Sequence, residues 1–203
     1  VVGLLQSYFY PAPAGRDPMA ASPATVGAIT NLVDCQWPSE RQKLGLFDRV
    51  AVGQTCHLEA GLLEITYDTG FQVILQGRVS YEITTGKSGF LSAGKLSGKA
   101  STERARGFVV DMPGARITDL GTEFGAEVAS DGTVETVVFS GKIELAPTTP
   151  GGGVGRGQVL HQGEAAQVAS SSPTREVRMV KVNPADRFTR AMQIVRPLVA
   201  SGE

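Results

Sequence analysis

The chain has 203 residues, a formal charge of -1, 41% hydrophobic residues, only 6% aromatics and 25 glycines. A chain of this length buries roughly 70% of the surface its unfolded form exposes, so one domain can hold a core without a metal or a disulfide. Acids and bases are interspersed without a like-charge block, which argues against a nucleic-acid surface or a polybasic membrane patch; neither a bilayer-spanning apolar run nor a cleavable signal pattern is present.

Residues 1–23 open with "VVGLLQSYFY" and "PAPAGRDP", rich in Pro, Ala and Gly and without periodicity, the composition of a tether. Small and apolar residues running into an aromatic belt fit the outer end of an upstream membrane helix, because aromatics concentrate at the interface. A fragment start without that meaning is the alternative.

From 24 to 182 the pattern is that of strands. "VGAITNLV", "CHLEAGLLEITYDT", "FQVILQGRVSYEIT", "GFVVDM", "ARITDL", "TEFGAEV" and "TVETVVFSGKIEL" alternate apolar and polar residues or form short β-branched runs. They are bounded by "DTG", "TTGKSG", "MPG" and "SDGT", in which Gly supplies positive φ and Asp bonds its own backbone. A Gly–basic–aliphatic echo at Gly77, Gly94 and Gly141 suggests a turn or bulge before similar strands. "PTTPGGGVGRGQ" is a loop, and "VLHQGEAAQV" a closing strand pair. Residues 183–203 carry the one helix signal: Asn183 as N-cap, Pro184 in the first turn, Phe188, Met192 and Val195 on one face, Pro197 near the end. The expected fold is all-β, a β-roll or sandwich of short, mostly antiparallel strands with Gly turns, plus one C-terminal helix.

Cys35 and Cys56 lie outside any C-x-x-C pair, so zinc and thioredoxin-type sites are not indicated. They are either buried thiols or one disulfide, and a disulfide would place the domain outside the cytosol.

Several motifs bear on chemistry. "GFLSAGKL" matches G-x-x-x-x-G-K, but Leu96 stands where a magnesium-binding Ser or Thr is needed, and strand signals flank it where a helix N-terminus should follow. His57 and Glu59 share a strand face, and His161 with Glu164 could approach them, yet no third ligand has characteristic spacing. Asp119, Glu123 and Glu127 are the best acid/base candidates. Against catalysis, Glu123 and Glu127 alternate with Phe124, Ala126 and Val128 as in any half-buried strand, and Asp119 is placed for an Asx turn onto Leu120-Gly121-Thr122. No catalytic residue, cofactor or metal is assigned.

"GLLEITYDTGFQVILQGRVSYEI", "GFLSAGKLSGKA", "GFVVDMPGARITDLGTEFGAEV", "TVVFSGKIEL" and "GEAAQV" together resemble the FecR-like domain of bacterial cell-surface signalling and anti-sigma regulator proteins, from about Gly61 to Val168. "DMPGARITDLGTEFGAEV" is the most specific part; Met112 stands where the family more often has Thr or Ser. The resemblance implies a non-enzymatic, periplasmic β domain behind a single membrane helix that lies outside these residues. It also implies that Asp119, Gly121, Thr122, Glu123, Phe124 and Gly125 form a folding motif, a turn and bulged strand. A protein partner, from the signalling chain or a receptor, is expected to add at a free strand edge; no nucleic acid is expected. The main alternative is a glycan- or cell-wall-binding sandwich, which would use Trp37, Tyr67 and Tyr81 as an aromatic stripe. A hydrolase using Asp119 and Glu123 is the third reading and needs both carboxylates in one cleft.

Overall fold

The computed structural model describes residues 23–149, 151–169, 176–181 and 187–190. Among them are fourteen strands: β1 Thr25–Gln36, β2 Arg49–Ala51, β3 Thr55–Leu58, β4 Ala60–Tyr67, β5 Phe71–Thr85, β6 Ser88–Ala100, β7 Val109–Met112, β8 Ala115–Asp119, β9 Glu123–Val128, β10 Val134–Ser140, β11 Lys142–Pro147, β12 Gln158–His161, β13 Ala165–Val168 and β14 Val177–Val180. Two single 3-10 turns, Glu40–Gln42 and Glu103–Ala105, are the helical elements among the described residues. No helix there is long and apolar enough to cross a membrane.

The β5–β6 hairpin is the spine. Its strands are long enough to carry different neighbours at their two ends. On the β5 side, β4 pairs with residues 72–76 and β3 with residues 79–82. On the β6 side, β7 pairs in parallel with residues 88–90 and β9 antiparallel with residues 94–99. The register slips between Gln76 and Ser80, where Gly77 and Gly94 both have positive φ. A Cβ on Gly94 would lie 2.2 Å from the Arg78 carbonyl oxygen, so glycine is required for the two strands to bend together there.

Two arms leave β6. One runs β7-β8-β11-β12, the other β9-β10-β13-β14, while β4-β1-β2 extends the far side of the spine. The chain crosses between arms three times, at 120–122, at Gly141 and at 162–164, so successive strand pairs, β7 with β8, β9 with β10, β11 with β12 and β13 with β14, alternate between the two walls of the roll. Between the walls lies the core. Phe71 and Phe108 stack at 3.9 Å, Tyr67 meets Phe108 edge-on at 4.8 Å, and Phe124 closes the group at 6.4 Å from Phe71. Tyr67 and Tyr81 are fully buried and satisfy each other through a 2.8 Å hydroxyl–hydroxyl bond.

The all-β roll of mostly antiparallel strands is as expected, with three differences. The helix expected in 183–203 is not formed where the chain is described: Arg187 is a turn and residues 188–190 have no regular structure. The rest of that segment, and the tether apart from Pro23, lie outside the described residues. Side-chain anchoring of residues 187–190 on the sheet replaces helical periodicity. Secondly, β6 forms without a clear strand signal, because Gly, Ser and Lys dominate it. Its glycines make room for rings: a Cβ on Gly89 would lie 1.9 Å from the Tyr81 hydroxyl, and one on Gly98 within 3 Å of Phe71 and Phe124. Thirdly, two of the three echo glycines sit in mid-strand bulges of β5 and β6 rather than before a strand; Gly141 alone turns a corner.

Candidate functional site

The "DLGTEF" motif is the first crossing between the arms. Asp119 ends β8 fully buried, and its Oδ2 accepts the Gly121 N–H at 2.9 Å, an Asx turn. Gly121 has φ +96, and the chain leaves it towards the other wall. The Thr122 hydroxyl donates a short bond to the Lys142 carbonyl and accepts the Lys142 N–H at 3.2 Å, which staples this crossing to the second one. Gly141 turns that second crossing at φ +77, and its carbonyl accepts the Gln162 N–H of the third at 3.1 Å. Three reversals are thus stacked and bonded in series.

Burial pushes the Asp119 carboxyl above the ordinary carboxylate range, against the pull of the Gly121 and Thr122 hydrogen bonds and the nearby Arg106 charge. Its Oδ1 has no hydrogen-bond partner among the described residues. Glu123, by contrast, points out of the wall and is held bidentate by Arg190 at 3.0 and 2.7 Å. One carboxylate is locked in a turn and the other in an ion pair, so the two do not converge on a cleft and the hydrolase reading loses its premise.

The remaining candidates resolve in the same way. "GFLSAGKL" lies within β6, with no helix behind it. Glu59 pairs with Arg78 at 3.3 Å, and Glu164 Oε2 accepts the His161 N–H at 2.7 Å, so the carboxylates beside both histidines serve the chain itself. No metal-holding group occurs among the described residues. The aromatic stripe does not exist: Tyr67 and Tyr81 are core and Trp37 is partly buried against it, which overturns the basis of the glycan alternative.

Of the two alternatives, buried thiols or one disulfide, the structure holds Cys35 and Cys56 as separate free thiols. The Cys35 Sγ–H donates to the Leu62 carbonyl of β4 at 2.9 Å, while Cys56 is packed in the core, where burial pushes its thiol up to about 12. The cysteines therefore carry no information about compartment.

What remains open to a partner is the sheet margin. Among the described strands β12 pairs only with β11, and β14 only with β13. The two edges face each other: Gln158 Nε2 lies 3.3 Å from Met179 Sδ. Between them is a groove of about 620 Å³ lined by Pro147, Gly155 to Gln158, Glu176 and Val177. Val154, Val159 and Met179 stand nearly half exposed beside it, while Leu160 anchors β12 inward. Apolar side chains on an unpaired edge are unusual, since exposed edges are ordinarily blunted by charge or proline. "QVLH" puts two apolar residues side by side, so neither which of them faces out nor that the two edges meet could be read from it. A further free edge, β2, is guarded by Arg49, paired with Asp68 at 2.7 Å.

Residues 62–144 match the family model described as FecR protein, a narrower span than the resemblance noted above, running from β4 to β11 and including the spine and the first two crossings. No curated protein is matched by the chain. Two solved structures of candidate anti-sigma factors from Parabacteroides distasonis ATCC 8503 are similar to it. One is 18% identical over 64% of this chain and 60% of its own length, with a TM-score of 0.49. The other is 17% identical over 66% and 59%, with a TM-score of 0.45. The chain thus spans about 60% of the length of these solved relatives.

Proposed function

Because residues 62–144 carry the FecR family pattern, we propose that this chain is the non-enzymatic, extracytoplasmic interaction domain of a transmembrane signalling regulator of the anti-sigma type. In this reading residues 1–23 tether it to a membrane helix, 24–182 form the FecR-like β domain, and 183–203 lead onward. The DLGTEF residues Asp119, Gly121, Thr122, Glu123, Phe124 and Gly125 serve the fold, and signalling depends on what the roll binds.

The observation that supports a polypeptide partner is the pair of unpaired edges at β12 and β14 with Val159 and Met179 exposed beside the groove. An extended segment entering there gains main-chain hydrogen bonds from an edge and places alternate side chains in the groove. The partner is another segment of the signalling chain or of an outer-membrane receptor. The test is a photo-crosslinking residue at Val159 or Met179 of the full-length protein in its own cell, with the attached polypeptide identified. Crosslinking to a signalling or receptor component, lost in Val159→Lys without a fall in melting temperature, supports the reading. Attachment to polysaccharide alone, or an unchanged yield in Val159→Lys, refutes it. Labelling of a cysteine introduced at Thr149 by a membrane-impermeant reagent tests the compartment independently.

A further inference from the structure

The outer face of the β9–β10 wall already holds a peptide. Register places Lys95, Glu127, Glu135 and Gln167 side by side in one row across β6, β9, β10 and β13, and Ser97, Gly125, Val137 and Ala165 in a neighbouring one. Glu123 and Phe139 begin the row beyond, because side chains on one face repeat every second residue. The wall therefore presents an apolar hole over Gly125 with carboxylates on both sides of it.

Residues 187–190, Arg-Phe-Thr-Arg, fit that pattern in order. Phe188 fills the hole, 4% exposed, against Val137 and Ala165, and a Cβ on Gly125 would lie 2.7 Å from its ring. Phe139 meets it edge-on at 6.1 Å. Arg187 pairs with Glu127 at 2.6 Å and also with Glu135, while Arg190 grips Glu123 and stands 5.1 Å over the Phe139 ring. The Thr189 N–H donates to Gln76 Oε1 at 2.8 Å.

We propose that this face is an exchangeable peptide site, whose occupant in the signalling complex is an extended partner segment of the order basic, aromatic, any residue, basic, displacing residues 187–190. Three observations support exchange. Residues 187–190 are not a strand, so their departure breaks no ladder. Both arginine side chains remain 38% exposed, leaving their ion pairs open to salt and to competing cations. The hole is built into the wall by a glycine, so it persists when Phe188 leaves. Glu123, Glu127 and Glu135 outnumber Lys95 and Lys99, which stand opposite Glu127 and Glu123 on β6, and all three carboxylates are bonded by the two arginines, so the face favours a cationic segment over an acidic one. Val180 of β14 packs on the same cluster, so the site borders the β12–β14 edges without depending on strand addition there.

The test uses the full chain and a fluorescent synthetic peptide spanning residues 184–192. In a chain carrying Phe188→Ala and Arg190→Ala the hole is vacated, and saturable binding of the peptide is expected by anisotropy, weakening as salt rises. Binding to the unaltered chain should be about tenfold weaker or more, since its tethered segment competes at high effective concentration. Adding Gly125→Val to the vacated chain fills the hole and should abolish binding, as should replacing the phenylalanine of the peptide by alanine. If the vacated chain does not melt cooperatively, Arg187→Ala with Arg190→Ala is used, for which intermediate affinity is expected. No binding to either variant, or equal binding to the unaltered, vacated and Gly125→Val chains, overturns the proposal. A concentration-dependent dimer that the peptide dissolves would assign the hole to a second copy and overturn the partner assignment.

Discussion

Replacing Gly141 by alanine tests whether the stacked crossings hold the roll together. Two effects add. The backbone sits at φ +77, which costs a residue with a Cβ about 1–2 kcal/mol. The new methyl would lie 2.5 Å from the Gly121 carbonyl oxygen and 3.3 Å from the Thr122 Cα, and because these are backbone atoms the crossings must part, adding about 1–3 kcal/mol as in other overpacked sites. Parting them also stretches the Leu120 N–H bond to the Lys142 carbonyl and the Thr122 staple. The sum, roughly 2–5 kcal/mol, corresponds to a melting temperature about 5–15 °C lower for a chain of this size. Gly163 is the control: it turns the third crossing at φ +83, but a methyl there would meet nothing within 4 Å, so Gly163→Ala should cost only the strain, about 1–2 kcal/mol. Gly121→Ala should fall near the control, since its methyl meets the movable Arg106 side chain. Urea unfolding of the three variants decides the matter. Equal losses for Gly141→Ala and Gly163→Ala would refute the close approach of the first two crossings.

Asp119→Ala should lower stability by about 1–2 kcal/mol through the lost turn bond, and an unchanged melting curve with loss of partner binding would show that the motif is not structural. The Asp119 carboxyl binds its proton more tightly folded than unfolded, so its contribution is fully present at low pH and lost as pH rises from the ordinary carboxylate value through the raised folded one. Asp119→Asn should flatten that fall in urea titrations taken at successive pH values; an identical slope would exclude Asp119 as its source. Thiol titration near pH 8 should find both thiols slow in native protein, since burial raises each, with the half-buried Cys35 reacting ahead of the core Cys56, and two thiols after unfolding without reductant; none after unfolding would contradict free cysteines. Tyr67→Phe leaves the buried Tyr81 hydroxyl without its partner and should cost about 1–3 kcal/mol, of which Tyr67→Phe with Tyr81→Phe recovers part; strict additivity in unfolding experiments would deny the bond.

Local chemistry was legible wherever one residue's own conformational preference decides the outcome. Alternation in "ARITD" marked β8 with the correct buried face, while in "EFGAEV" it found the inward Phe124, Ala126 and Val128 of β9 but not that Glu123 and Gly125 on the other face are buried as well; Gly70, Gly114 and Gly132 turn with positive φ in "DTG", "MPG" and "SDGT". The Asx turn at Asp119 was readable for the same reason, because a short side chain bonds backbone two residues ahead. β6 was not, since its glycines answer to rings of Tyr81, Phe71 and Phe124 that arrive from other strands. Likewise Gly125, Glu123 and Glu127 read as one strand's polar face, and only the folded chain brings residues 187–190 across more than fifty positions to cover it. Strand period and turn geometry are properties of neighbouring residues, so the sequence by itself determined an all-β chain, its turns and its buried faces. Which strands cross between walls, that β7 runs parallel to β6, that the cysteines stay apart and that β12 and β14 are left unpaired follow from how the walls close over a shared core, and only the tertiary structure decided them.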